Sequence, residues 1–265
     1  MINLNISNGN LGDSILMTSL FKNNREGNLT FLDVPEVHRL EEVFYNFNVK
    51  IKYNKEVPPT INSNHKTHIC QQYLDKFNIT DSNCIPKINV RKEELVWAKD
   101  FLSKYENPLA IVTNNNGTGD KTNFWAQYRT PNSQLIDILL SQYGKKYTLL
   151  HFGLSRNFTK NNYRVDVDSF IKNERCVDIL DLPLSKLIAC YSVIGKYLGG
   201  DTGDYHLMLA VGGKCNVLVP EHHDAGYNHI SYLYTDELWK NERVRVKYNL
   251  FKDYLNNLNY IDFNY

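Results

Sequence analysis

Short runs of apolar and β-branched residues alternate with longer stretches of helical spacing along most of the chain. "INLNIS" (2–7) alternates apolar and polar positions and predicts a strand. A glycine-containing polar turn, "NGNLGD" (8–13), leads into "SILMTSLFKNN" (14–24), whose apolar positions recur at helical intervals. "NLTFLDV" (28–34) reads as a second strand, "EEVFYNF" (41–47) as a short helix and "VKIKY" (49–53) as a third strand. Two prolines in "KEVPPTINSNHKTH" (55–68) exclude regular structure there. "ICQQYLDKFNI" (69–79) and "KEELVWAKDFLSKY" (92–105) are amphipathic helices.

The alternation restarts at "LAIVTN" (109–114), a run suited to a buried strand. "PNSQLIDILLSQYG" (131–144) is a helix with Pro131 in its first turn and Gly144 at its C-cap. Strands follow at "KYTLLHFG" (146–153) and "CVDIL" (176–180), and a helix at "PLSKLIACYSV" (183–193). "GKYLGG" (195–200) is a strand, "GDYHLMLAVGG" (203–213) a helix and "CNVLVP" (215–220) a strand; the tail looks helical at its end. The predicted class is α/β with mostly parallel sheets. Two βα-rich lobes are expected, 1–105 and 106–265, with the last helix packing back on the first lobe.

Composition narrows this little. The 265 residues are long for one domain, and 42% hydrophobic with 22% charged describes an ordinary globular chain. A net charge of +1 provides no general attraction to nucleic acid or anionic membrane. No apolar run approaches the ~20 residues of a membrane span, and no signal-peptide pattern precedes the first strand, so a cytoplasmic protein is expected. The five cysteines, Cys70, Cys84, Cys176, Cys190 and Cys215, include no CxxC pair and read as reduced thiols. Heavy use of Asn, Lys, Tyr and Ile suggests an AT-rich genome, viral or low-GC bacterial; for a viral protein the compartment is the host cytoplasm.

Two strand–turn–helix junctions carry the candidate chemistry. In "YLGGDTGDYH", Gly199, Gly200 and Gly203 permit close backbone approach, Thr202 adds a hydroxyl and Asp201 an acceptor for sugar hydroxyls. Asp201 or Thr202 is equally well an N-cap. His206 either faces the same site or packs. At the first junction, Asp13 is a general base facing an interlobe cleft or a helix cap; the dipole favours its ionised form, a weak base until water is excluded. Neither junction has the GxGxxG of a dinucleotide fold or the Lys of a Walker A loop. The loop "TNNNGTGDKTNFWAQYRTP" (113–131) carries Lys121 and Arg129, cations able to reach a phosphate, although its composition also suits a solvated loop.

Other candidates fall away. "DVD" (166–168) has metal-binding spacing without a supporting acidic cluster. The adjacent His222 and His223 would point to opposite faces of a strand. Ser155 lacks the GxSxG elbow. Lys50, Lys52, Lys55 and Lys66 read as a solvated face.

"LGDSILMTSLFK" (11–22) together with "GGDTGDYHLMLAVGGKCNVLVP" (199–220) resembles the signature regions of the heptosyltransferase-like glycosyltransferases, family 9. Asp201, Thr202, Gly203, His206, Leu207, Ala210 and Gly212 fall on the family's second motif in register. The segments 110–139 and 176–203 are similar to its loop–helix and lead-in regions. The chain is shorter than most members, chiefly in the first lobe. The resemblance implies a GT-B fold, two Rossmann-like lobes facing a cleft, and an inverting, metal-independent glycosyltransferase with no cofactor beyond its nucleotide-diphospho-sugar co-substrate. It implies Asp13 as the base, with Asn10 and Gly12 of the same turn on the acceptor side. Asp201, Thr202, Gly203 and His206 would hold the donor, either Lys121 or Arg129 its diphosphate, and the backbone near Leu182 its base. The acceptor is a glycan or lipopolysaccharide-core hydroxyl, or, for a viral protein, a modified DNA base. A sugar-nucleotide epimerase or hydrolase and a non-catalytic nucleotide-sugar-binding protein are the alternatives.

Overall fold

A computed structural model describes residues 1–7, 11–61, 69–82, 85–112, 143–153, 176–200, 202–220 and 243–248. Two parallel sheets organise them. In the first, β1 (Ile2–Ile6), β2 (Gly27–Leu32) and β3 (Val49–Asn54) lie in the order β1-β2-β3, with Leu4 opposite Leu29 and Leu29 opposite Ile51. The alternation in "INLNI" buries Ile2, Leu4 and Ile6. β3 is exposed at Lys50 and Lys52, as a solvated lysine face requires.

The second sheet contains β4 (Pro108–Val112), β5 (Thr148–Gly153), β6 (Cys176–Leu180), β7 (Lys196–Gly200), β8 (Lys214–Pro220) and β9 (Arg243–Tyr248). Their order is β6-β5-β4-β7-β8-β9, every pairing parallel. Chain order thus runs outward from β4 in one direction and from β7 in the other. This is the doubly wound arrangement, and its reversal point lies between β4 and β7. β9 was not anticipated: "RVRVKY" has period-2 alternation, but the charges obscure it.

Among the described residues, helices α1 (Leu11–Met17), α2 (Pro35–His38), α3 (Ile69–Lys76), α4 (Lys92–Leu102), α5 (Leu184–Ile194) and α6 (Gly203–Ala210) connect the strands. The helix expected over 14–24 begins three residues earlier and ends at Met17; a 3-10 segment, Thr18–Asn24, continues it. Lys22 (φ −59°, ψ 159°) and Asn23 (φ 59°) break that segment. The hydroxyls of Thr18 and Ser19 donate back to Ile15 O (2.6 Å) and Leu16 O (2.7 Å), which favours departure from α-helical geometry. The short helix expected at 41–47 is a 3-10 turn over Arg39–Phe44. The proposed helix over 131–144 lies outside the described residues except for its end at Tyr143–Gly144, and the helical tail lies outside them altogether.

One apolar cluster runs through both sheets, from Leu4, Leu29 and Phe31 through Ile15, Leu16 and Leu207 to Phe152 and Cys215. α4 follows the first sheet but lies along α5, and Ser185 Oγ donates to Glu94 Oε1 across that contact (3.0 Å). The Ile88 amide donates to Ala210 O at the end of α6 (3.0 Å). No helix among the described residues is long and apolar enough to cross a membrane. The thiols of Cys176 and Cys190 are pushed up to about 12, first by burial, so both stay protonated and unreactive at neutral pH.

One polar pair is built into the second sheet. His151 on β5 is fully buried, and its Nδ1 lies 2.7 Å from Oδ1 of Asp178, its register partner on β6. Replacing Asp178 with Ala removes that partner from a buried ring. The expected cost is about 1–3 kcal/mol, read as a lower midpoint in urea unfolding. Asp178→Asn, which keeps an accepting oxygen, should lose less.

Candidate functional site

β1 and β7 are each followed within a few residues by a helix, α1 and α6, and the two helices meet. A Cβ built on Gly203, the first residue of α6, would lie 3.0 Å from the Cβ of Leu11 and 3.1 Å from the amide nitrogen of Gly12. The first turn of α1, bearing Asp13, therefore abuts the first turn of α6, and glycine is what lets them approach so closely. Leu11 and Gly12 line the junction from one side and Gly203 from the other. Asn10 lies outside the described residues.

Asp13 is half-buried. Its charge reaches Tyr73 of α3, a buried phenol held far above the usual tyrosine range, first by burial and then by Asp13. Tyr73 therefore remains protonated beside the carboxylate at any pH the fold meets. Neither α3 nor Tyr73 was identifiable from the sequence as a neighbour of Asp13, because 60 positions separate them.

At α6, Thr202 has extended backbone (φ −132°, ψ 172°) and its Oγ1 accepts from the Asp204 amide (3.2 Å). It is an N-cap, one of the two alternatives left open by the sequence. Thr202 also belongs to a polar network. Its hydroxyl donates to Asp204 Oδ2 (3.3 Å) and lies 3.3 Å from the Tyr197 hydroxyl. Tyr191 of α5 donates to Asp204 Oδ1 (2.9 Å), and Tyr197 of β7 donates to Gly200 O (2.9 Å). Burial raises the Asp204 carboxyl above the usual carboxylate range. The hydrogen bonds from Tyr191 and Thr202, and then the positive charge of Arg39, oppose the rise without cancelling it. Arg39 lies on the 3-10 turn after α2, so it reaches α6 from the first sheet's side.

His206 is buried with its ring against Tyr205, centroids 4.0 Å apart. Leu182, partly buried, stands between Asp181 (φ 59°) and Pro183, the N-cap position of α5. Asp201, Lys121 and Arg129 lie outside the described residues, as do Ser155, residues 166–168, His222 and His223. β4 ends at Val112 beside Gly199 of β7 at the sheet's reversal point, so residues 113 and 201 follow neighbouring strand ends in the chain. Asp204, Tyr191 and Arg39 were missed. An Asp in a first helical turn was the one local signal; the tyrosine and the arginine come from distant segments.

At the carboxyl edge of the first sheet, Tyr53 is 40% exposed, and the His38 ring lies 4.5 Å from it. His38 Nε2 is 3.0 Å from Asp33 Oδ1. Among the described residues no group of three or more His, Cys, Asp and Glu side chains converges as a metal site would require.

No protein-family model matches the chain, and no curated protein sequence matches it either. Solved structures do. The glycosyl transferase family 9 structure from Veillonella parvula DSM 2008 superposes with TM-score 0.63 at 15% identity, over 93% of this chain and 86% of its own. The E. coli ADP-heptose LPS heptosyltransferase II gives 0.52 at 10% identity, over 93% and 90%. The iron-containing dodecameric glycosyltransferase TibC from enterotoxigenic E. coli H10407 gives 0.50 at 11% identity, over 82% of this chain and 58% of its own. The fold is that of the family 9 glycosyltransferase structures, at deep sequence divergence.

Gly203→Ala should push α1 and α6 apart, because backbone stands on the far side of the contact. A loss of about 1–3 kcal/mol is expected, measurable as a reduced urea midpoint with the slope retained.

Proposed function

We propose that the chain is a glycosyltransferase that moves a sugar from a nucleotide-diphospho-sugar to an acceptor hydroxyl, with inversion and without a metal ion. The observation that carries the reading is the meeting of the Asp13 turn with the Thr202–Gly203 turn at the carboxyl ends of two parallel sheets. The family 9 fold supports it, and one of the similar structures is TibC in complex with ADP-D-beta-D-heptose. In such sheets ligands bind outside the strand carboxyl ends, where chain order reverses.

The donor diphosphate lies at the start of α6, where the helix dipole favours an anion. The cation on that diphosphate is Lys121 or Arg129, as the resemblance to family 9 implies. Asp201 accepts from the sugar hydroxyls, and the nucleobase lies near Leu182. The acceptor occupies the edge of the first sheet, in a cleft between two lobes. There the exposed Tyr53 ring, with Asp33 and His38, suits a polyhydroxylated molecule that stacks on an aromatic face and donates to a carboxylate.

Asp13 takes the proton from the acceptor hydroxyl as its oxygen attacks the anomeric carbon opposite the leaving group. The bond from that carbon to the diphosphate oxygen breaks, and the electron pair departs with the diphosphate. The start of α6 stabilises that charge as it develops. Closure of the site excludes water and makes the Asp13 carboxylate a stronger base than it is in solvent.

A thermal-shift panel of UDP-, ADP-, GDP- and dTDP-sugars tests donor binding, since a ligand that binds only the folded state raises its melting temperature. At least one member should do so. Asp13→Ala should keep that shift while losing transfer by about 10²–10⁴-fold, followed as nucleoside diphosphate release in the presence of acceptor. A panel without any shift would overturn the reading. Turnover by Asp13→Ala near the parent rate would remove the base assignment alone.

A further inference from the structure

The Thr202 hydroxyl has one proton and two lone pairs. One lone pair accepts the Asp204 amide at 3.2 Å, and the proton points to Asp204 Oδ2 at 3.3 Å. The neighbouring Tyr197 hydroxyl spends its own proton on Gly200 O, so it does not donate to Thr202. While Asp204 is ionised, the Thr202 proton is thus held inside the protein and is not offered to a ligand. An ionised Asp204 in the first turn of α6 also puts a negative charge where the donor reading places two phosphates.

We propose that Asp204 is a positioning residue that takes up a proton as the donor binds and so turns the Thr202 hydroxyl outward onto the diphosphate. The inference rests on the donor site proposed above. The step balances simply. A proton from solvent adds to Oδ2, and the resulting O–H donates to the second lone pair of Thr202 Oγ1. The Thr202 proton, released from the carboxylate, rotates to a phosphate oxygen. Tyr191 keeps donating to Oδ1 throughout.

The surroundings prepare this transfer. Asp204 is half-buried, and burial already raises its proton affinity above that of a free carboxyl group, while Tyr191, Thr202 and Arg39 hold it back. The approach of a like charge raises the affinity further, the same effect that divides paired carboxylates. Tyr191 on α5 and Thr202 bond the carboxylate, and Arg39 on the 3-10 turn acts on it by charge. Tyr197 on β7 and Cys215 on β8 act on Tyr191, Asp13 is in the first turn of the abutting helix, and His206 is on α6 itself. Asp201 precedes it in the chain. Of these, the Asp204 carboxylate is the group that holds the Thr202 proton, which is why substitution at this residue separates it from the others.

The test uses the full chain and whichever sugar nucleotide of the panel gives the largest thermal shift. Its diphosphate is a diester and adds no proton equilibrium of its own near neutral pH. Calorimetric titration in buffers of different ionisation enthalpy should show proton uptake on binding. The dissociation constant should rise with pH above the free-protein midpoint of Asp204, approaching ~10-fold per pH unit for one proton. Asp204→Asn should bind with neither uptake nor that pH dependence. Tyr191→Phe removes a hydrogen bond that favours the ionised carboxylate, so it should move the binding profile to higher pH, a displacement that a purely structural role would not produce. Thr202→Val should lose affinity, with the pH slope retained only in part. Binding without proton uptake overturns the inference and leaves the donor site standing. The parent slope persisting in Asp204→Asn also overturns it, placing the proton elsewhere. If Asp204→Asn does not fold, an unmoved profile in Tyr191→Phe overturns it instead. Absence of binding by every panel member removes the donor site and this inference with it.

Discussion

The contact between the first turns of α1 and α6 is the constraint on which the arrangement depends. At Gly203 the backbone of one helix lies against Leu11 and Gly12 of the other, with no room for a side chain to intervene. A helix start carries unsatisfied N–H groups, and two placed together concentrate partial positive charge at one point. That is electrostatically costly unless something negative or polar answers it. Asp13 on one helix and Asp204 on the other occupy the first turns, so the junction supplies its own compensation.

The way the two carboxylates are held differs, and the difference follows from their neighbours. Asp204 is engaged on both oxygens, by Tyr191 and by Thr202, and Arg39 approaches from the other sheet's side. Asp13 has the buried Tyr73 within range of its charge. One carboxylate is built into a network that also caps α6. The other belongs to a seven-residue helix that passes directly into a 3-10 segment. Two acidic residues in the first turns of two helices thus acquire different chemical characters from tertiary surroundings.

Much of this was legible beforehand. Local pattern located β1, β3, β6 and β7 within a residue or two; in β1 the period-2 signal is clear because Ile2, Leu4 and Ile6 are buried and the positions between them are not. The "LGD" and "DTG" turns stood out because glycine and a capping side chain between a strand and a helix leave few readings. The failures have physical causes. α1 gives way early because Thr18 and Ser19 satisfy carbonyls that a longer helix would use. β9 was passed over because Arg and Lys occupy alternate positions of "RVRVKY", which masks a strand paired in register with β8.

The sequence by itself determined the α/β class, the two strand–turn–helix junctions and the residue types at each, since local periodicity and capping chemistry act over a few residues. Only the tertiary structure decided that the junctions meet, that Thr202 is an N-cap whose proton goes to Asp204, and that Tyr191, Tyr197 and Arg39 surround it. Those contacts join positions from 2 to 192 residues apart. Burial and the charge of distant groups set how tightly Asp204 holds a proton, and no local pattern records either one.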